Sequence, residues 1–319
     1  MFCSLLSWGL LLHLLMTLAI VQTSPSYGAA ARAENHRPDA ATMSHYWHKL
    51  ELHDTGLAGS LTTRIELGTY PGKELQSILV EAPGPMLPRV PATRVQELVV
   101  ASSVSLLAGL RIDTEDHLWF NQDDGLPLQL MRLRRGNKPV QKLYRFGSDQ
   151  VYRLRRQPAD RAEAGQTAGQ WSQISESLYP LPAVGAGCPS ILESSQLLYI
   201  LSNPKQMISE KPQELCVFDR KHVYRVGFRT LGREQLTVDY LQVDAIQETR
   251  LRDTLEAQHV VLDSRPMDGE RDEVEPFSFL GLNGDIHLLL SEPGRIPLRV
   301  RGQVSGFGMV ELDLGKLSR

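Results

Sequence analysis

The chain has 319 residues, of which 42% are hydrophobic, and it carries a formal net charge of −3 at pH 7. This composition is typical of a globular protein and excludes a wholly disordered one. The length suits one large β domain or two smaller ones, and the net charge by itself indicates no class of partner.

An apolar run from Leu5 to Val21 opens the chain, with His13 as its only ionisable side chain. Small residues between positions 28 and 33 follow at the spacing that signal peptidase recognises. We therefore predict that residues 1–30 are a signal peptide and that the mature protein is periplasmic or secreted. An uncleaved anchor is the alternative, since no lysine or arginine precedes the apolar run. No later stretch is long enough to span a bilayer.

Alternating apolar and polar residues predict strands at residues 47–52 and 61–67. Four prolines between positions 81 and 93 then predict an extended loop. We assign residues 31–110 to an N-terminal strand-rich region. This region is either part of the same sheet as the rest of the chain or a separate small domain.

The tripeptide Asp54-Thr55-Gly56 resembles an aspartic-protease signature. In that signature a carboxylate shares a proton with a second aspartate and activates water. Here Leu57 replaces the usual small residue, and the chain has no second copy of the signature. Aspartate and glycine also favour ordinary turns. We therefore predict no catalytic residue and keep a hydrolase as an alternative function.

Three histidines, His45, His48 and His53, cluster in the same region, and neutral imidazoles are common zinc and copper ligands. His45 and His48 would lie on opposite faces of a strand, and no firm third ligand lies close by. We predict exposed histidines, with no metal site and no cofactor.

Residues 111–319, which we assign to a β-rich domain, contain one motif twice. Residues 118–130 align without gaps on residues 288–300. Each copy is an apolar strand, a polar turn and a second apolar strand that contains Pro127 or Pro297. Proline suits the first residues of a strand, where no ladder N–H is required. We interpret the repeat as one hairpin type used twice, and a shared binding feature is the alternative.

Further elements follow from the same patterns. Alternation predicts β-hairpins at residues 142–155 and 224–240, the second with its turn at residues 231–234. Apolar residues at helical spacing predict one short helix between positions 189 and 204. Loops are predicted at residues 159–169 and 263–275.

Two cysteines remain after removal of the signal peptide, Cys188 and Cys216. In an oxidising compartment two remaining thiols pair more often than they stay free. We predict a disulfide between them, with two separately buried thiols as the alternative.

Basic residues are concentrated between positions 132 and 161, a segment that contains ten lysines and arginines but only two aspartates. On antiparallel strands, alternate residues would place several of them on one face. Such a face suits a lipid phosphate or an acidic glycan, and we expect no nucleic acid as a partner outside the cytoplasm. The alternative is a solvated face balanced by acidic loops. The predicted ligand-binding residues are Arg132, Arg134, Arg135, Arg153, Arg155 and Arg156.

The repeated hairpin, the apolar run at residues 195–202 and the closing run at residues 302–314 together resemble domain-of-unknown-function family 3108, a group of bacterial envelope proteins. The resemblance covers residues 118–319. It implies a curved antiparallel sheet wrapped around a helix, similar to lipoprotein-carrier half-barrels, and it implies no known activity.

We therefore predict a mostly β, non-enzymatic exported protein that binds or carries an amphipathic or anionic envelope molecule. A hydrolase and an envelope scaffold with an exposed sheet edge are the alternatives. Converging carboxylates in a cleft would favour the hydrolase.

Overall fold

A computed structural model describes residues 47–54, 59–106, 111–182, 187–206, 208–268, 274–304 and 308–319. The predicted signal peptide, His45 and residues 55–57 of the protease-like signature lie outside these ranges. Within them, no helix is both long and apolar enough to cross a membrane.

The described residues form fifteen strands, three short α-helices and a 3-10 helix at Ala168–Gln170. The strands are β1 (Lys49–Asp54), β2 (Gly59–Pro71), β3 (Arg94–Leu106), β4 (Arg111–Asn121), β5 (Pro127–Arg135), β6 (Val140–Phe146), β7 (Gln150–Gln157), β8 (Gln173–Pro180), β9 (Ile191–Glu193), β10 (Gln213–Asp219), β11 (His222–Val243), β12 (Glu248–Pro266), β13 (Asn283–Ser291), β14 (Pro297–Val304) and β15 (Gly308–Ser318). The helices are α1 (Gly72–Leu75), α2 (Arg161–Ala164) and α3 (Gln196–Leu201).

All fifteen strands belong to one sheet, in the order β8-β7-β6-β5-β4-β3-β2-β1-β15-β14-β13-β12-β11-β10-β9. Neighbours along this order are antiparallel except β9 and β10. The end of β15 also pairs in parallel with the end of β11, so strands β11 to β15 close into a ring. Strands β1 to β3 continue the sheet from β15 to β4, which places the N-terminal strands in the same sheet as the rest. The predicted mostly β fold is confirmed.

One face of the sheet packs on the main hydrophobic core, because its strands alternate between buried apolar and more exposed polar residues. In β1, for example, Leu50 and Leu52 are fully buried and alternate with more exposed residues. The predicted helix is confirmed as α3, and all six of its residues are buried against this face. It is shorter than predicted because residues 191–193 pair with β10 as strand β9.

The repeated motif folds as the same hairpin in both places. Pro127 and Pro297 are each the first residue of their strand. In the first copy the Asn121 N–H donates to the Leu126 carbonyl, and in the second the Ser291 N–H donates to the Ile296 carbonyl. Each copy also has a register shift one or two residues before its turn. The interpretation as one hairpin type used twice therefore agrees with the geometry.

The predicted hairpin at residues 224–240 is wrong. Residues 222–243 form one long strand, β11, which pairs with β12 along almost its whole length. The predicted turn is instead a β-bulge between Thr230 and Gly232, where Gly232 has a φ of +114°. Glycine accepts that backbone conformation, so a signal read as a turn marks an extra residue inside a continuous strand. The chain reverses later, where the Asp244 N–H donates to the Gln247 carbonyl.

The two predicted loops also differ in part. Residues 159–169 contain the exposed helix α2, whose Asp160 side chain accepts a hydrogen bond from the Glu163 N–H. Strand β12 extends to Pro266, so the first residues of the predicted 263–275 loop belong to the sheet.

The predicted disulfide is confirmed. Cys188 and Cys216 are bonded, with their Cα atoms 5.6 Å apart. Both residues are buried, and the bond ties the segment before β9 to β10. A disulfide of this kind is typical of an oxidising, extracytoplasmic environment.

Candidate ligand-binding site

The six arginines predicted to bind a ligand are divided between the two faces of the sheet. Strand alternation places Arg132, Arg134, Arg153 and Arg155 on the face that carries the core residues Leu130, Tyr144 and Val151. We call this the inner face.

Arg135 and Arg156 lie on the opposite face. Arg135 forms an ion pair of 3.0 Å with Glu115, and the Arg156 guanidinium donates to the Gly169 carbonyl. The single cationic face that the sequence suggested therefore includes four of the six arginines. The other two make local contacts on the outer side of the sheet.

A lateral row of paired residues crosses the inner face. Val100 on β3 lies opposite Asp116 on β4, which lies opposite Arg132 on β5. Arg132 lies opposite Lys142 on β6, and Lys142 lies opposite Arg155 on β7. Directly opposed residues on antiparallel strands have Cβ atoms about 5 Å apart. The row therefore changes from apolar to acidic and then to basic over five neighbouring strands.

The basic end of the row lines a cavity of about 320 Å³, which we call the basic cavity. Five cationic side chains and a single carboxylate line it, together with Tyr144. The charged residues are Lys142, Arg153, Arg155, Arg220, Lys221 and Glu275.

The carboxylate of the basic cavity is already engaged. Glu275 pairs with Arg220 at 2.9 Å and with Lys221 at 3.3 Å. Lys142, Arg153 and Arg155 form no ion pair among the described residues. Arg153 donates one hydrogen bond to the Ser177 hydroxyl, and its buried Nε has no acceptor within the described part of the chain. The Arg153 guanidinium also lies over the Tyr179 ring, 5.3 Å from its centroid. None of the three side chains has a carboxylate partner among the described residues, so their charges could still be neutralised by an anion.

Lys142 is the most strongly perturbed of these groups. Burial lowers its pKa to about 8, and the adjacent Arg132, Arg153, Arg155 and Arg134 lower it in the same direction. Near neutral pH the protein therefore holds a lysine charge among like charges, in a partly buried position. An anion bound here would relieve that repulsion.

The acidic and apolar part of the row lines a second cavity of about 280 Å³, which we call the mixed cavity. Its apolar lining comes from β2, β3, β14 and the turn before β13, and its polar lining includes hydroxyls, carboxylates and two guanidinium groups. The apolar residues are Leu61, Val100, Val104, Leu280 and Val304. The charged residues are Asp116, Arg132, Asp219 and Arg220. Arg220 lines both cavities, so the two adjoin.

Three carboxylates gather around Arg132. Its guanidinium is 2.6 Å from Asp116 and 3.9 Å from the buried Glu193. Burial disfavours the charged form of Arg132, but Asp116, Glu193 and Asp219 attract it and raise its pKa above the usual range.

Burial acts on the carboxylates in the opposite sense. It raises the pKa of Glu193, which Arg132 lowers, and it raises the pKa of Asp219, which Arg220 and then Arg132 lower. Glu193 accepts hydrogen bonds from the hydroxyls of Ser194 and Ser195, and Asp219 accepts one from the Ser278 N–H. Asp116 and Asp219 therefore line the mixed cavity beside two arginines, Arg132 and Arg220, and the buried Glu193 lies behind Ser194 and Ser195 of its wall.

Two residues of the mixed cavity have a left-handed backbone. Arg220 has a φ of +58° and Leu280 a φ of +53°, a region that residues other than glycine, asparagine, aspartate and histidine rarely adopt. Leu280 sits in a tight turn in which Phe279 and Leu282 exchange hydrogen bonds of 2.8 and 2.9 Å. Such backbone strain is concentrated at functional sites in many proteins.

The other sequence signals lie away from these cavities. Asp54 is buried at the end of β1 and does not line either cavity. His48 is exposed, and the ring of His53 is 3.3 Å from the Thr62 hydroxyl. No group of three or more metal-ligating side chains occurs among the described residues.

The sequence analysis missed Lys142, Asp116, Asp219 and Arg220 as site residues. Lys142 belongs to the basic segment, so its position on the arginine-bearing face could have been read from the strand alternation. Asp219 and Arg220 come from a distant hairpin, and no sequence spacing relates them to Arg132.

Comparisons with known proteins leave the family open. No protein-family model matches the chain, so membership of domain-of-unknown-function family 3108 is not confirmed, and no curated protein matches it. Among solved structures it is similar to a β-barrel-like protein of domain of unknown function DUF1849 from Brucella abortus. That match covers 86% of this chain and 99% of the other, with 9% identity and a TM-score of 0.41.

Proposed function

We propose that this protein binds an amphipathic molecule with an anionic group, outside the cytoplasm, and acts as a carrier or binding protein. The observation that carries the proposal is the contact between two unlike cavities. The basic cavity has three cationic side chains without a carboxylate partner among the described residues, and the mixed cavity beside it has an apolar wall.

Phosphate or carboxylate oxygens suit the basic cavity, because guanidinium and ammonium groups form charge-assisted hydrogen bonds to them. The apolar side chains of the mixed cavity would contact the hydrocarbon part of the same molecule. Both volumes are at the lower end of the range of small-molecule sites. A single-chain amphiphile, rather than a large acidic glycan, therefore fits best.

The test uses dodecyl phosphate below its critical micelle concentration and isothermal titration calorimetry. Replacing Arg155 by serine removes a charge from the basic cavity, and Arg156→Ser is the matched control because the neighbouring residue lies on the opposite face. We expect Arg155→Ser to weaken binding by about tenfold, the value for one charge-assisted hydrogen bond, and Arg156→Ser to leave it unchanged. Binding should also weaken with added salt.

Two results would reject the proposal. The first is that dodecyl phosphate and zwitterionic dodecyl phosphocholine bind equally, or that neither binds. The second is that an acidic oligosaccharide without an alkyl chain binds as tightly as dodecyl phosphate, because the apolar wall would then contribute nothing.

A hydrolase that acts on the same bound molecule is a second candidate, and the convergence of Asp116, Glu193 and Asp219 on Arg132 favours it. A carboxyl kept protonated by burial can donate a proton to a leaving oxygen while an ionised carboxylate accepts one from water. Mass spectrometry of an amphiphilic ester incubated with the protein tests this. Product formation that is lost in Asp219→Asn would support the hydrolase, and an intact ester would reject it.

A further inference from the structure

The polar side of the mixed cavity is rich in hydroxyl groups. Five serine and threonine residues line it, and they are Ser102, Thr114, Ser194, Ser195 and Ser278. The hydroxyls of Ser194 and Ser195 donate to Glu193, which leaves their own oxygens able to accept. The Thr114 hydroxyl makes no hydrogen bond within the described part of the chain. The cavity therefore offers several acceptors to a ligand that can donate.

A missing donor is also visible at Asp116. Its Oδ2 accepts hydrogen bonds from Arg132, but its buried Oδ1 has no partner among the described residues. An unsatisfied buried acceptor costs about 1–3 kcal/mol, and more when the group is charged. A hydrogen-bond donor brought in by a ligand would remove that cost.

The charges of the two cavities indicate which kind of donor fits. The mixed cavity already contains the guanidinium groups of Arg132 and Arg220, which would repel an ammonium group. Its carboxylates, in turn, would repel a phosphate. Neutral hydroxyl groups suit the mixed cavity, and the phosphate suits the basic cavity.

We propose that the headgroup of the ligand is a polyol phosphate, that is, a glycerol phosphate or sugar phosphate, with its phosphate in the basic cavity and its hydroxyls in the mixed cavity. This inference rests on the proposed function and adds the class of headgroup. The two cavities are close enough for one headgroup to reach both, because Arg132 in the mixed cavity lies directly opposite Lys142 in the basic cavity.

The experiment compares two amphiphiles with the same chain length and the same anionic group. One is dodecyl phosphate, and the other is lauroyl glycerol phosphate, which adds the polyol. We expect the glycerol phosphate to bind the wild-type protein about tenfold more tightly, the equivalent of one or two additional neutral hydrogen bonds.

The variant Thr114→Val removes one hydroxyl from the mixed cavity with little change of shape. We expect it to reduce the preference for lauroyl glycerol phosphate severalfold and to leave the affinity for dodecyl phosphate unchanged. Thr114→Ser, which keeps the hydroxyl, should restore the preference. Thr237→Val is the matched control, since Thr237 is an exposed threonine on β11. Thermal unfolding of each variant verifies that it folds.

The possible failures are distinguishable. If neither amphiphile binds, the proposed function itself is rejected. If both bind equally, or Thr114→Val lowers both affinities by the same factor, the polyol headgroup is rejected and the proposed function stands. Equally tight binding of lauroyl phosphoethanolamine would show that the cavity accepts an ammonium group, and it would also reject the polyol.

Discussion

The basic cavity should make the unliganded protein less stable than it could be, and Lys142 allows this cost to be measured. Its pKa is lowered from 10.5 to about 8, first by burial and then by the surrounding arginines. One pKa unit corresponds to about 1.4 kcal/mol, so the charge on Lys142 costs the folded state up to about 3 kcal/mol at pH 7. Methionine has a similar length and no charge. We therefore expect Lys142→Met to stabilise the free protein by about 1–3 kcal/mol at pH 7.

The direction in which this stability difference changes with pH follows from the protonation of Lys142 in the folded and unfolded chains. Below about pH 8 the folded and the unfolded chain both carry the lysine charge, so the folded state bears the full cost. Between about pH 8 and pH 10.5 the unfolded chain keeps the proton and the folded chain loses it. The wild-type protein therefore gains stability as the pH rises through this window. The advantage of Lys142→Met should shrink accordingly, to about a quarter of its pH 7 value at pH 10.

Urea unfolding of the two proteins at pH 7, 8.5 and 10 measures this difference. The matched control is Lys211→Met, because Lys211 is an exposed loop lysine whose replacement should change stability by less than about 0.5 kcal/mol. The same Lys142→Met variant should bind dodecyl phosphate less tightly than the wild type. The reasoning is refuted if Lys142→Met destabilises the protein at pH 7, or if its effect is the same at all three pH values.

Three further predictions concern the fold and the site. Replacing both Cys188 and Cys216 by serine should lower the free energy of unfolding by about 3 kcal/mol in urea titrations. The disulfide closes a loop between residues 28 positions apart, and its loss gives the unfolded chain more conformational freedom. An unchanged free energy of unfolding would mean that the disulfide does not restrict the unfolded chain. Gly232→Ala should cost about 1–2 kcal/mol, because φ of +114° strains any side chain, whereas Gly227→Ala in the same strand should be nearly neutral. Equal effects of the two alanines would argue against the bulge. Phe218→Ala should cost about 3–5 kcal/mol, since Phe218 is buried against Tyr144, Phe146 and Tyr179, and a loss below 1 kcal/mol would argue against this packing.

The strands that have clean alternation were predictable from the sequence. Residues 142–155 form the expected hairpin, although Arg145 is buried in it and Arg153 shares a face with the buried Tyr144 and Val151. The disulfide followed from compartment and count alone. The failure at residues 231–234 has a physical cause, since a glycine between two alternating segments marks a turn or a bulge with equal ease. The pairing of β11 with the continuous strand β12 shows that the glycine marks a bulge, and a local sequence pattern does not reveal that pairing.

The candidate site was predictable in one half only. Strands β5 to β7 follow one another in the sequence, so their excess of basic residues could be counted directly. The mixed cavity is not local. Asp116 is in β4, Asp219 ends β10 and Leu280 lies in the turn before β13, so residues far apart in the sequence line one cavity.

The lateral row from Val100 to Arg155 explains why the candidate site needs residues from distant parts of the chain as well as the basic residues of β5 to β7. Exposed charges on a single sheet face are screened by solvent and give little selectivity. Here the turn between β10 and β11 contributes Arg220 and Lys221 to the cavity that Lys142, Arg153 and Arg155 also line, so five like charges lie close together. Repulsion between these like charges destabilises the folded protein when no anion is bound. An anion bound in the cavity would relieve this repulsion and stabilise the folded protein. The destabilising charge of Lys142 and the proposed selectivity for anions therefore have one physical origin.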